Sequence, residues 1–156
     1  MRLTCQARAA DAATLAPFGT LIHPPARQGE RQMYSDWAAP LAGLRPQLHV
    51  NRVAPSTLPL TVQQVERHPH AAQVFLPLDT GTYLVVVMPA LTDGRPDPSN
   101  TCAWLLPPTV GIAYRPDIWH AGIVALDREA CFSVFMWRGA DDDDVMAAVT
   151  PVTITR

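Results

Sequence analysis

Proline is the feature of this sequence that most restricts its fold. Sixteen of the 156 residues are proline, and they recur between short apolar runs rather than in one tract. Proline lacks a backbone N–H and breaks an α-helix wherever it falls inside one, so this distribution excludes long helices. The chain between the prolines is therefore expected to form short extended segments joined by turns.

The apolar runs between the prolines have the composition of β-strands. QLHVNRV alternates and places Leu48, Val50 and Arg52 on one face, whereas TYLVVVM is continuously apolar, as in a strand covered on both sides. Further strands are expected in FGTLIH, TCAWLL, VGIAY, HAGIVAL and CFSVFMW. One short helix is predicted from Asp11, its N-cap, to Leu15. This pattern predicts an all-β sandwich or closed barrel.

Composition and charge narrow the class of protein. The chain is 48% hydrophobic with a net charge of -2, which indicates one soluble globular domain over residues 1–156. It has no basic stripe, which argues against a nucleic-acid partner. The longest apolar run, residues 83–91, is too short to cross a bilayer, and the N-terminal residues do not resemble a signal peptide. Three cysteines without a CxxC motif indicate reduced thiols and a cytoplasmic location.

The nine-residue stretch VERHPHAAQ concentrates polar side chains that can do chemistry. It contains Glu66, Arg67, His68, His70 and Gln73. On an extended strand Glu66, His68 and His70 share one face, because side chains alternate with a period of two. The proline between the histidines places the stretch at a sheet edge or a strand end. Two imidazoles on one face are typical of a metal or proton-transfer site, and equally of a polar surface turn.

A second cluster, YRPDIWHAG, lies further along the chain and contains Tyr114, Arg115 and His120 around a proline turn. It can be an ordinary turn in which Trp119 anchors the core and His120 is hydrogen-bonded to a neighbour. However, an H-x-H motif followed by a single later histidine resembles the layout of cupins, in which both motifs converge inside the mouth of a barrel. The run Asp141–Asp144 is expected to be the solvated start of a tail.

Residues 51–79, NRVAPSTLPLTVQQVERHPHAAQVFLPLD, resemble the ureidoglycolate lyase family. Members of that family carry closely similar Asn-Arg, Leu-Pro-Leu, Glu-Arg-His-Pro and Gln-x-Phe-x-Pro elements in the same order. DAATLAPFGTLI, GRPDPS, GIAYRPDIWHAG and FMWRG continue the resemblance in order. It therefore extends over most of the chain, from Leu3 to Gly139.

The resemblance implies a cupin-like double-stranded β-barrel of the jelly-roll type, with one to three short helices, that forms a homodimer. It also implies a carbon–nitrogen lyase that cleaves ureidoglycolate to glyoxylate and urea in allantoin catabolism. Older descriptions of the family call it a hydrolase releasing ammonia and carbon dioxide. The partner is then a small carboxylate, with no role for nucleic acid or a membrane. The resemblance suggests a divalent ion of the nickel type as cofactor, and no organic cofactor.

The chemistry of that reaction assigns roles to residues of the two clusters. Ureidoglycolate is a hemiaminal with a carboxylate, so its cleavage needs a base for the hydroxyl proton, a donor for the departing nitrogen and a cation for the carboxylate. The predicted catalytic residues are His68, His120 and Glu66. The predicted substrate-binding residues are arginines and hydrogen-bonding side chains, namely Arg52, Arg67, Gln73, Tyr114 and Arg115. The predicted metal ligands are His68, His70, Gln73 and His120.

Other functions stay open at this point. The chain departs from the family pattern at Met33, where an arginine is usual, and at Ala121 and Gly122, where a histidine and a proline are frequent. These departures leave room for another small-carboxylate enzyme on the same barrel. A cupin that binds a small ligand without transforming it is a third interpretation. For Arg52 and Glu66, an ion pair at the surface or between subunits is the alternative to a role in a site.

Overall fold

The computed structural model describes residues 3–156, which fold mainly as short β-strands and turns. Within this range there is one α-helix, α1 (Ala12–Leu15), and there are 3₁₀ helices at Asp36–Ala38 and Pro98–Asn100. The strands are β1 (Leu3–Gln6), β2 (Arg8–Ala9), β3 (Gly19–Ile22), β4 (Arg45–Val53), β5 (Pro55–Ser56), β6 (Leu60–Arg67), β7 (Gln73–Asp79), β8 (Tyr83–Met88), β9 (Cys102–Leu106), β10 (Gly111–Tyr114), β11 (Trp119–His120), β12 (Val124–Leu126), β13 (Ala130–Arg138) and β14 (Val145–Thr155). No helix among the described residues is both long and apolar enough to span a membrane.

Two sheets form the walls of a nearly closed barrel. The five-stranded sheet has the antiparallel order β3-β10-β7-β13-β4. The nine-stranded sheet has the order β1-β14-β6-β11-β8-β12-β5, and β9 joins it by pairing with β8 and β2. The larger core contains side chains of both sheets, including Phe75, Ile112, Val85 and Val87. The predicted all-β, cupin-like double-stranded barrel with few short helices is therefore confirmed.

Strand β8 connects two hydrophobic cores. Every residue from Tyr83 to Met88 is buried. Because side chains alternate along a strand, one set points into the core between the two sheets and the other set points into a second core behind the larger sheet. The first set is Tyr83, Val85 and Val87, and the second set is Leu84, Val86 and Met88. The continuous apolar run TYLVVVM therefore forms a strand that is covered on both sides, as predicted.

The local predictions have mixed outcomes. The predicted short helix is confirmed, and the Asp11 side chain accepts a hydrogen bond from the backbone N–H of Thr14 at 2.9 Å. The strand predicted from HAGIVAL is interrupted, because residues 121–123 leave the sheet between β11 and β12. Gly122, a residue with weak strand propensity, lies in this gap.

The expectation of a tail after the acidic run is wrong. Strand β14, the longest strand of the described chain, begins directly after Asp144 and pairs with both β6 and β1. Its sequence, VMAAVTPVTIT, is rich in alanine and threonine and contains a proline, so its apolar alternation is weak. The acidic run is consequently a connection between β13 and β14, held at both ends by the sheets.

Substitution of Gly111 is expected to destabilise the barrel. An added Cβ at Gly111, in β10, would lie 2.6 Å from the carbonyl oxygen of Phe75, because the two strands approach closely there. We expect Gly111→Ala to lower the free energy of unfolding by about 1–3 kcal/mol, as for other overpacked sites. Chemical denaturation of the two proteins measures the difference.

Gly122→Ala is the matched control, since a Cβ at Gly122 would meet no other described residue within 4 Å. It should change the free energy of unfolding by no more than about 0.5 kcal/mol. Equal effects of the two substitutions would contradict the close packing of β10 against β7.

Candidate active site

Three titratable side chains converge inside the barrel where β6 and β11 pair. Glu66 of β6 and His120 of β11 are directly opposed in the antiparallel register, and His68 follows the end of β6. Glu66 Oε1 lies 3.6 Å from His120 Nε2 and 4.0 Å from His68 Nε2. One ligand atom of each of the three residues lies within 4.8 Å of the other two.

Gln73 and Tyr114 complete this group from the opposite sheet. The first residue of β7, Gln73, pairs with the last residue of β10, Tyr114. Gln73 Oε1 lies 3.0 Å from His120 Nε2, and the Tyr114 ring stacks on the His120 imidazole with centroids 4.2 Å apart. The Tyr114 hydroxyl is buried without a hydrogen-bond partner among residues 3–156. Burial raises the pKa of Tyr114 well above its ordinary value, so this hydroxyl stays protonated and remains a donor.

The hydrogen bonds of His120 fix where its proton lies. His120 Nδ1 is 2.9 Å from the carbonyl oxygen of Ile118, which only accepts, so Nδ1 carries a proton. His120 Nε2 then directs its lone pair at two acceptors, Gln73 Oε1 and Glu66 Oε1. A metal cation between these atoms, a second proton on His120, or a turned Gln73 amide would each relieve the repulsion.

His68 presents a second lone pair to the same region. Its Nδ1 lies 2.9 Å from the carbonyl oxygen of Asp143 and 3.0 Å from Asp144 Oδ1, both acceptors, so Nδ1 carries the proton. Its Nε2 is buried and has no hydrogen-bond partner within the described chain. Two imidazole nitrogens, a carboxylate and an amide oxygen together form a donor set that suits a divalent transition metal.

Glu66 is the ionised and accessible member of this group. The contact with His120, in which Nε2 donates a hydrogen bond when the imidazole carries its second proton, lowers the pKa of the Glu66 carboxyl against the opposing effect of burial, so the group is a carboxylate near neutral pH. The Glu66 side chain is 28% exposed, whereas those of His68 and His120 are 5% and 2% exposed. Solvent therefore reaches the group on the Glu66 side.

His70 lies outside this group. Strand β6 ends at Arg67, so the period-two alternation that would carry His70 to the same face does not continue past the proline at position 69. Instead His70 Nε2 lies 2.6 Å from Asp142 Oδ1, and the His70 side chain is 42% exposed. His70 and Arg115 line a cavity of about 340 Å³ together with Trp37, and Tyr114 is the member of the group that borders it.

The arginines predicted to bind substrate also lie elsewhere. Arg67 alternates with Glu66, so it points to the other side of the sheet, where its guanidinium stacks on Trp119 at 4.6 Å and pairs with Asp117 at 3.2 Å. Arg52 forms a surface ion pair with Glu129. Arg115 is exposed and donates a hydrogen bond to the carbonyl oxygen of Ala16. The structure therefore brings together Glu66, His68, Gln73, Tyr114 and His120 alone among the predicted residues.

One arginine that sequence reasoning missed lies beside the group. Arg138 ends β13 and shares a face with Met136, whose sulfur lies 3.9 Å from Gln73 Nε2. Arg138 Nη1 lies 3.3 Å from the same sulfur, and the guanidinium pairs with Asp144. The inward alternation of Val134, Met136 and Arg138 in CFSVFMWR was the signal that could have found it.

Comparisons with known proteins agree with this architecture. Residues 2–155 match the family profile described as ureidoglycolate lyase. Proteins named ureidoglycolate lyase from Escherichia coli O1:K1 / APEC and from Shigella boydii serotype 18 are each 36% identical over 98 residues, which span 63% of this chain and 60% of theirs. A dTDP sugar isomerase from Desulfovibrio desulfuricans G20 is similar in fold, with a TM-score of 0.50, 17% identity and coverage of 83% of this chain and 82% of that one. This chain belongs to the ureidoglycolate lyase family.

Proposed function

We propose that this protein cleaves ureidoglycolate to glyoxylate and urea, with residues 1–156 acting as a single catalytic domain. The convergence of Glu66, His68 and His120 beside Gln73 and Tyr114 carries this proposal. Membership of the family, and relatives that bear the name ureidoglycolate lyase, support it. The chain matches only 60% of the length of those relatives, so the substrate is inferred from family and chemistry together.

The side chains supply the groups that the reaction needs. The substrate's hydroxyl loses its proton as its oxygen becomes the aldehyde carbonyl, the carbon–nitrogen bond breaks, and the departing urea nitrogen gains a proton. The Glu66 carboxylate is ionised and accessible, and in our proposal it accepts the hydroxyl proton. Glu66 then returns this proton to the departing urea nitrogen, and the Tyr114 hydroxyl, which is protonated and has no partner among the described residues, donates a hydrogen bond to the departing urea.

A divalent ion fits the donor set and is part of the proposal. His68, His120 and Glu66 would hold it, with the Gln73 oxygen beside them. Such an ion would lower the pKa of the substrate's hydroxyl group as a Lewis acid. Nickel, which the family resemblance suggests, accepts imidazole ligands readily. If one oxygen of the Glu66 carboxylate held the ion, the other oxygen would remain available to accept the hydroxyl proton.

The activity is tested by removing each imidazole. We expect the purified protein to release glyoxylate and urea in equal amounts from ureidoglycolate. His68→Asn and His120→Asn should each lower turnover by about 10²- to 10⁴-fold, as much as the loss of a catalytic acid or base, because each removes an imidazole that would hold the ion beside Glu66. Coupled assays of urea and glyoxylate, together with thermal midpoints, separate loss of chemistry from loss of folding.

His23→Asn is the matched control, because His23 is exposed and contacts Tyr34 only through its backbone. It should leave turnover unchanged. The site is refuted if both His68→Asn and His120→Asn keep more than about a third of wild-type turnover, because the expected residual turnover is far lower. Release of ammonia instead of urea would indicate the hydrolase reaction, and binding without turnover would indicate a ligand-binding cupin.

The metal is tested by chelation. We expect turnover to fall when divalent ions are removed and to return when Ni²⁺ or a similar ion is added. His70→Asn should bind the ion as the wild-type protein does, since His70 lies outside the group, whereas His68→Asn should bind it weakly. Full turnover in rigorously metal-free protein would show that the side chains act alone.

We also infer a homodimer and a cytoplasmic location. Leu48 and Val50 of the edge strand β4 are 68% and 63% exposed. Val50 and Leu76 both pair with Ser133 of β13, so Leu76 extends the exposed apolar surface across the sheet. An exposed apolar edge of this kind is usually covered by a partner. The three cysteines are free, which supports a reducing compartment.

The dimer is tested by sedimentation. Leu48→Asp should shift the protein from dimer to monomer, because it would bury a charge in the contact. Leu91→Asp, at a partly exposed leucine outside the sheets, should not. A wild-type protein that sediments as a monomer at micromolar concentration would reject the homodimer.

A further inference from the structure

The acidic connection between β13 and β14, Asp141–Asp144, contacts both histidines of the H-x-H motif. Asp142 Oδ1 lies 2.6 Å from His70 Nε2. The Asp143 carbonyl oxygen and Asp144 Oδ1 both approach His68 Nδ1, at 2.9 and 3.0 Å. Four adjacent carboxylates would repel one another in an extended solvated segment. Here three of the four residues make defined contacts, so the connection has a definite conformation.

Asp144 is held from its other side by Arg138. Asp144 Oδ1 accepts a hydrogen bond from Arg138 Nη1 at 2.9 Å, and Asp144 Oδ2 accepts one from Arg138 Nη2. A bidentate arginine–carboxylate pair of this geometry fixes the plane of the carboxylate as well as its position. The Asp143 side chain is fixed in turn, because its Oδ2 accepts a hydrogen bond from the Gly139 N–H at 2.6 Å.

The result is a continuous chain of contacts from Arg138 through Asp144 to His68. Asp144 Oδ1 is shared between the guanidinium and the imidazole. Because Asp144 and the Asp143 carbonyl both accept from Nδ1, the proton of neutral His68 is held at Nδ1 and the lone pair lies on Nε2. Nε2 is the buried atom that has no partner among residues 3–156 and faces Glu66.

We propose that Asp144, clamped by Arg138, is a positioning residue that holds His68 with its Nε2 lone pair directed into the active site. Partners of this kind orient a ligating imidazole and raise its basicity, and their loss typically costs about 10- to 100-fold in metal affinity or activity. This inference rests on the proposed function for its catalytic meaning. The geometry that supports it does not depend on the identity of the substrate.

The experiment measures His68 itself rather than turnover. Co²⁺ is titrated into metal-free full-length protein and followed by its visible absorption, and proton–nitrogen correlation spectra show which imidazole nitrogen is protonated. We expect the wild-type His68 proton at Nδ1. Asp144→Asn should raise the Kd for Co²⁺ about 10- to 100-fold, and Asp144→Ala should move part of the His68 population to the Nε2–H form.

Two controls give the experiment its specificity. Asp141→Asn makes the same change of charge in the same connection at an exposed residue, and it should change neither readout. Arg138→Gln should weaken Co²⁺ binding in the same direction as Asp144→Asn. The Kd for Co²⁺ of the double variant should be no higher than that of Asp144→Asn alone, because Arg138 acts through Asp144.

The outcomes are decisive in either direction. A wild-type Kd in Asp144→Asn, or an equal rise of Kd in Asp141→Asn, overturns the proposal, even if the thermal midpoint falls. If the wild-type protein takes up no Co²⁺, the test rests on which nitrogen of His68 is protonated. A His68 that keeps its proton fully on Nδ1 in Asp144→Ala then overturns the proposal. Asp144-dependent binding of Co²⁺ in a protein that releases no urea would reject the lyase reaction and retain the positioning role.

Discussion

The burial of β8 on both of its faces is the constraint on which the rest of the barrel depends. Its six side chains alternate between the core shared by the two sheets and a second core behind the larger sheet. A strand without a solvent face must be covered twice, and the remaining strands are arranged to cover it. Strand β11 is attached to β8 at Val87 and Met88, so the position of His120 is set by this central strand.

The sequence predicts much of this fold because its signals are local. Proline spacing, the alternation in QLHVNRV and the apolar run TYLVVVM each report on a few neighbouring residues, and the corresponding strands are present. The Asp11 cap is equally local. Strand β14 is not predictable in this way, because its alanines and threonines are stabilised by the strands that it pairs with rather than by its own pattern.

The same distinction applies to the site. That Glu66 and His68 share a face follows from alternation that continues one residue past the end of β6. The pairing of Gln73 with Tyr114, in contrast, depends on the register between two strands. The sequence predicts both His70 and Arg67 to be in the site, and both predictions are wrong, for opposite reasons. Alternation stops at the end of β6 before it reaches His70, and it is maintained at Arg67, which therefore points away. Arg138 and Asp144 meet His68 only through tertiary structure, which residue spacing does not encode.

The stacking of Tyr114 on His120 has a kinetic consequence. With one ring face covered at an interplanar angle of 17° and Nδ1 held by the Ile118 carbonyl, the imidazole cannot rotate without breaking both contacts. A histidine that shuttles protons must either turn so that its two nitrogens exchange places or pass the proton to water, and His120 is buried. In the proposed reaction, protons therefore exchange with the solvent through Glu66, and the His120 imidazole keeps a fixed orientation behind it.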